Sequence, residues 1–547
     1  MSALPPVRRS EPVSGISFFL SALVAVAVVS FITGCGSGSK SGTSTPQFSG
    51  NTSVTVVLST TANDQLSEFG LVFQNIALTS QSGKTVNLFS GTQGAEFMDV
   101  NGGANPFVNV SIPQDIYTAA TVTLGSAQFT CVAIEPSGSA DPGGLLTSTF
   151  AYGQTPTANV SASLPSPITI TGNSMGLALD LLVSQSATFP SCYFAGPGIE
   201  PYSITPTFTL TPINFASQPT NPANGKVNSI NGEVTAIATS GNTFTMTRPL
   251  VSLTCPCPSL YTLPVEADSN TVYQGIGSFS ALAVGMLIDM DGAIQSDGSL
   301  LATRIAAYDS AAVNVMTGPL LFLDSSVPDF YNLGREQQGQ NYSVQGQNIG
   351  IYSFSDSTVF QTSGQFGNVA NLPFAATFNG SNMVSGQNVS VYSGVLTAYY
   401  GGQYDASTTI TLMPQTIDGS VVDSSQEGNF TVYSVSLAPY DLFPTLATQP
   451  GQASVLANPS EVEVYVDSNT QMLNTQALAA GSTLRFNGLV FNDNGTLRMD
   501  CAQVNDGVAF TPPSNANARS ELGQAQTTRR EGPSRTQQVI NVVTRSH

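Results

Sequence analysis

The chain has 547 residues with a formal net charge of −19, and only 9% of its residues are charged, against roughly 25% in an ordinary soluble domain. It contains no Trp, and its single His is His547, which excludes from the folded body a His general base, a Ser-His-Asp or Cys-His arrangement, and a His-ligated zinc or haem. Between residues 35 and 515, eight basic residues face 31 acidic ones, a net charge of −23, and a body of that sign repels phosphate backbones and excludes nucleic acid as a partner.

The first 34 residues have the pattern of an export signal. Arg8 and Arg9 precede the uncharged apolar run ISFFLSALVAVAVVSFI from Ile16 to Ile32. At its end, Ile32-Thr33-Gly34-Cys35 resembles the bacterial lipobox. That resemblance implies cleavage after Gly34 and a diacylglycerol group on the Cys35 sulfur. The membrane is then a partner through the lipid on Cys35, and residues 35–51, rich in Gly and Ser, are a flexible tether. Gly36 supplies no acidic retention signal, which points to the outer membrane.

Residues 52–215 are expected to form a β-sandwich-like domain. The stretches 53–61, 118–130, 167–172 and 203–213 alternate β-branched or aromatic residues with polar ones, while 175–184 (MGLALDLLVS) is ambiguous. Cys131 and Cys192 share this domain and are disulfide candidates in an oxidising envelope. The linker 216–226, ASQPTNPANGK, separates this domain from the remainder of the chain.

Three units come next, at 227–312, 313–415 (divergent) and 416–507. The first and third share the order Gly-x-Val, Gly-Asn-(Thr)-Phe-Thr and Val-x-Val/Ala-Asp-Ser-Asn-Thr, ending in a turn before a last strand. Asp268, Asp356 and Asp467 align and are read as turn residues whose carboxylates accept backbone N–H groups. Each unit holds five or six short strands, enough for a small β-barrel-like, OB-like domain. In the first unit, Cys255-Pro256-Cys257 is open to a redox or metal role, a small loop disulfide, or pairing with Cys501.

Asp289 and Asp291 fall on one face of a strand with Asp297 in the following turn, a candidate site for calcium, otherwise a solvated face. The third unit has Arg485 and Asn487 at the two strand positions, so no repeated metal site is implied. Tyr399, Tyr400 and Tyr404 could stack on a glycan or dock a protein. The tail 508–547, with net charge +3, is expected to be disordered.

The stretches Gly285–Gly292 and Asp297–Ile305 resemble the bacterial domain-of-unknown-function family number 5666. The pieces 53–64, 111–124, 177–186 and 208–213 resemble family number 4382, found behind lipoprotein signals. Neither resemblance implies a catalytic residue or a cofactor. The expectation is an all-β, lipid-anchored cell-envelope protein with a non-enzymatic binding, adhesion or scaffold role, its further partner a glycan or an envelope protein. The alternative is a carboxylate-based glycan-active enzyme.

Overall fold

The structure is a computed structural model of the chain. It describes residues 48–60, 66–100, 105–131, 133–134, 146–147, 158–188, 203–213, 226–238, 240–249, 260–295, 299–308, 314–323, 329–334, 336–338, 348–363, 369–394, 405–438, 442–447, 455–473 and 478–506. The molecule is all-β. Among the described residues the α-helices are the short segments Phe97–Val100, Val183–Ser186 and Leu442–Ala447. The ambiguous stretch is strand Ser174–Leu181 followed by one of these helical turns. Leu177, Leu179 and Leu181 are all buried, and that period of two decides for a strand.

The N-terminal domain is one nine-stranded sheet. Its order is Thr85–Glu96, Leu66–Ser80, Asp115–Cys131, Ala158–Ser163, Phe208–Ile213, Ser174–Leu181, Asn51–Thr60 and Asn105–Pro113, with Ile168–Ile170 paired beside Asp115–Cys131. The sheet curls around a single core. Phe73, second in the order, lies 6.2 Å from Phe208, fifth, and 5.2 Å from Phe107, last. Such a wrap gives two facing layers from one continuous sheet, the sandwich-like packing of the inner side chains.

Each of the three following domains closes a five-stranded barrel in the order 1-2-3-5-4-1. Barrel 1 uses Lys226–Ile237, Thr243–Pro249, Leu260–Gln274, Leu287–Ile294 and Leu300–Tyr308. Barrel 2 uses Asn314–Leu323, Asp329–Gly334, Asn348–Ser353 with its continuation Val359–Thr362, Asn388–Ser393 and Asp405–Leu412. Barrel 3 uses Gln415–Glu427, Phe430–Leu437, Glu461–Val466 with its continuation Gln471–Leu473, Thr483–Asp493 and Thr496–Asp506. In all three, strands three and five run parallel and the other neighbours antiparallel. This is a Greek-key barrel of the OB kind.

The repeat holds at the level of single hydrogen bonds. Strand three breaks at a turn in barrels 2 and 3 and shifts register at the same place in barrel 1, and in each a Thr hydroxyl there donates to a carbonyl of strand five. Thr271 reaches Ala302 O at 2.8 Å, Thr358 reaches Ser407 O at 2.9 Å, and Thr470 reaches Cys501 O at 2.8 Å. The same three hydroxyls accept the backbone N–H of Asp268, Ser355 and Asp467. Asp268 and Asp467 act as expected, each accepting the N–H two residues on at 2.8 Å. The alignment of Asp356 is corrected by one residue: Ser355 occupies the turn position and Asp356 is exposed. The invariant is the distance back from the Thr, and Ser-Asp-Ser-Thr reaches it through the Ser hydroxyl.

Strand four of barrels 1 and 3 carries a second shared feature. Opposite the step from Asp291 to Gly292 and, at the matching register, from Asn487 to Gly488, strand five bulges by one residue, Thr303 and Ala502. A Cβ on Gly292 would stand 2.7 Å from Leu301 O, and one on Gly488 2.0 Å from Asp500 O. Only a residue without a side chain lets the two strands meet there.

Candidate functional site

Along strand four of barrel 1, Ile288 and Met290 point into the core, so Asp289 and Asp291 share the outer face. That face is not solvated: Asp289 is 4% and Asp291 2% exposed. Arg304, opposite Asp291 on strand five, places Nε 2.5 Å from Asp291 and Nη2 2.6 Å from Asp289. Burial opposes the charge on Arg304, but the two carboxylates outweigh it and hold the guanidinium protonated well above its ordinary range. The position between the carboxylates that a calcium ion would need is filled by the guanidinium. Among the described residues no group of three or more His, Cys, Asp or Glu could hold a metal ion.

The register identifies the same two outer positions elsewhere. In barrel 2 they are Ser390 and Tyr392, in barrel 3 Arg485 and Asn487. Burial, with added repulsion from Asp289, raises the Tyr392 hydroxyl far above its ordinary value, so the charges of the barrel 1 cluster are felt at Tyr392. Arg485 instead reaches the N-terminal domain, with Nη1 2.7 Å from Thr60 O and Nη2 3.1 Å from Asp180. Asn487 donates to the Thr416 hydroxyl at 2.9 Å.

A third arginine marks the junction of barrels 2 and 3 and keeps contact with solvent. Arg498 pairs with Glu463 at 3.1 Å and Asp493 at 3.3 Å. Its guanidinium sits 5.5 Å from the centre of the Phe374 ring and 5.9 Å from that of Tyr465, within cation–π range. Phe374 comes from barrel 2 and stacks 4.7 Å from Tyr465 of barrel 3. The Tyr465 hydroxyl lies 3.2 Å from both Glu427 and Glu463. Carboxylates, a guanidinium and aromatic rings thus meet at one seam, where the rings are buried and the partly exposed Arg498 and Glu463 are the candidate contact for a polar ligand. Sequence reading passed over Arg304, Arg498 and Tyr465. The first was within reach, because it sits one strand after an acidic pair in a chain with few basic residues.

Of the remaining candidates, Cys35, Cys192, Cys255, Cys257, Asp297, Tyr399, Tyr400 and Tyr404 lie outside the described residues, as do the signal, the tail and nearly all of the tether and linker. Cys131 ends strand Asp115–Cys131. Pairing of Cys501 with Cys255 or Cys257 is corrected: Cys501 is a free, buried thiol. It takes the inward position that Ala302 holds in barrel 1, donates to Gln503 O at 3.3 Å, and burial pushes its thiol far up.

Residues 231–306, most of barrel 1, match the family described as Domain of unknown function (DUF5666). No curated protein matches the chain. Among solved structures, the crystal structure of wild-type single-stranded DNA binding protein from Thermus aquaticus is similar at 12% identity, over 38% of this chain and 98% of that one, with a TM-score of 0.13. A TM-score that low carries no argument about fold or ligand.

Proposed function

We propose that the chain is a lipid-anchored protein of the bacterial cell envelope that works without catalysis, as a rigid binding or scaffold element. In this reading Cys35 carries the lipid in the outer membrane, residues 35–51 span the gap, and the N-terminal domain, similar in parts to family number 4382, stands nearest the bilayer. The ligand is a glycan or an envelope protein. The observation that most supports the reading is the use of charge. In a chain with only 15 basic residues, Arg304, Arg485 and Arg498 are each bound to carboxylates where domains meet. Arginines paired in this way act as ties between the domains.

Two measurements test the reading. Replacing Cys35 with Ser should move the protein from the membrane fraction to the soluble fraction, and retention in the membrane would sink the anchor. Folded protein should bind a glycan class or capture an envelope protein without turning over any glycan. A second reading, a carboxylate-based glycan-active enzyme, draws on Glu427 and Glu463, whose carboxylates converge on one phenol. It requires hydrolysis that is lost in both Glu427→Gln and Glu463→Gln.

A further inference from the structure

The four folded domains touch in a closed circuit. Val57 and Ala178 of the N-terminal domain join the hydrophobic cluster of barrel 1. Barrel 1 comes close to barrel 2 at Tyr392, whose hydroxyl feels the charges of the buried Asp289, Asp291 and Arg304. Barrels 2 and 3 share an apolar cluster containing Met316, Phe374, Leu489 and Phe491, and Gln387 donates across to Val490 O at 2.8 Å. Barrel 3 returns to the N-terminal domain through Arg485, 305 residues along the chain from Asp180.

Strand four's outer face serves both contacts that barrel 3 makes: Arg485 and Asn487 stand on one side of the bulge, Leu489 and Phe491 on the other. The two outer positions before the bulge are buried in barrel 1 and in barrel 3, yet with different chemistry. Barrel 1 has two acids paired with its own Arg304. Barrel 3 has Arg485 there, Gln503 where barrel 1 has Arg304, and takes its carboxylate from the N-terminal domain.

We infer that the side chains at these two positions are an address deciding which neighbour each barrel docks on, and that Arg485 with Asp180 is the latch that closes the circuit. Exchanged faces would be penalised. Barrel 1 set on the N-terminal domain would bring Asp289 and Asp291 against Asp180, and barrel 3 set on barrel 2 would bury Arg485 against Ser390 and Tyr392 without a carboxylate. Charge arrangements that punish the wrong pairing are how interfaces gain specificity. Asp180 is prepared for its role by the Ser59 hydroxyl, which donates to its other oxygen at 2.9 Å. The inference stands whether or not the assembled protein binds a glycan.

The test uses the full chain with Arg485→Asp, Asp180→Arg, and both together, followed by thermal unfolding and hydrodynamic radius. Each single reversal should lower the first transition by about 5 °C or more, separate it from the rest, and enlarge the particle. The double reversal should recover at least half of that loss. Single reversals without effect would overturn the latch, and a double variant no better than the worse single would overturn the address. Should a reversal fail to fold, the neutral cycle Arg485→Gln and Asp180→Asn replaces it. Additive losses in that cycle would overturn the proposal, and a double loss smaller than the sum would support it.

Discussion

Barrels 1 and 3 have the same strand order, the same bulge and the same Thr-clipped turn, and they differ in the charges laid on that frame. At matching register barrel 1 carries Asp289, Asp291 and Arg304, and barrel 3 carries Arg485, Asn487 and Gln503. The first set finds its ion-pair partner within one domain, while the second draws its counter-charge from another. The inner positions decide that a barrel forms, and the outer ones decide what it stands beside. Changes made at one position in both barrels are therefore the sharpest probe.

The largest difference should come from the buried charges. Arg304→Met leaves Asp289 and Asp291 without their guanidinium in a covered interface, and breaking such a group costs about 3–5 kcal/mol. Changing Gln503 to Met at the same register uncovers no buried charge and should cost less than Arg304→Met. Denaturant unfolding reads both. Adding Asp289→Asn and Asp291→Asn to Arg304→Met should return most of the loss, and failure to do so would remove charge as the cause. The bulge glycines come next. Gly488→Ala should cost about 2–3 kcal/mol and Gly292→Ala nearer 1, because the added carbon meets backbone at 2.0 Å in one and 2.7 Å in the other.

Acidity separates the barrels too. Asp500 of barrel 3 is pushed up to about 7, by burial first and then by Asp467, whereas barrel 1 has Leu301 at that register. The folded state holds the proton more tightly than the unfolded chain, whose Asp titrates near 4. This contribution to stability is therefore present below pH 4 and lost as pH rises to 7. At about 1.4 kcal/mol per unit of raised pKa, reduced for residual contact with water, the loss is about 2 kcal/mol. Asp500→Asn should flatten the melting temperature between pH 4 and 7 and raise it at pH 8. A profile unchanged by the substitution would show that Asp500 titrates normally.

The strands were legible in the sequence because alternation is local: Leu177, Leu179 and Leu181 or Ile288 and Met290 announce an inner face without reference to any other strand. The Asp-Ser-Asn-Thr turn was legible for the same reason. What could not be read was the burial of an outer face. Asp289 and Asp291 alternate with core residues in the way a solvated face does, and they are covered by groups that local alternation does not reveal, Arg304 on the next strand among them. Arg485 likewise looked like a broken metal site, because its carboxylate lies 305 residues away in a different domain. The correction at Asp356 has a local origin: where Ser replaces Asp as the acceptor, the neighbouring Asp draws the alignment to itself.

The smallest effect concerns the turn that all three barrels share. Thr271, Thr358 and Thr470 each donate to a strand-five carbonyl and accept a backbone N–H, and all three are buried. Replacing Thr with Val keeps the shape and removes both bonds, a loss of about 1–2 kcal/mol at each site. The carboxylates of Asp268 and Asp467 still bind the N–H two residues on when the Thr is changed, at 2.8 Å in each case, whereas the Ser355 hydroxyl does so at 3.3 Å. Asp268 is held below its usual range, first by the backbone N–H of Asn270, a sign that this bond favours the charged form. Barrel 2 has the weaker support, so Thr358→Val should cost more than Thr271→Val or Thr470→Val, because a charged acceptor holds its N–H more tightly than a neutral one. Hydrogen exchange of the strand-five amides in the three variants measures that ranking site by site. Equal losses in all three would mean that the Thr, and not the Asp or Ser before it, carries the turn alone.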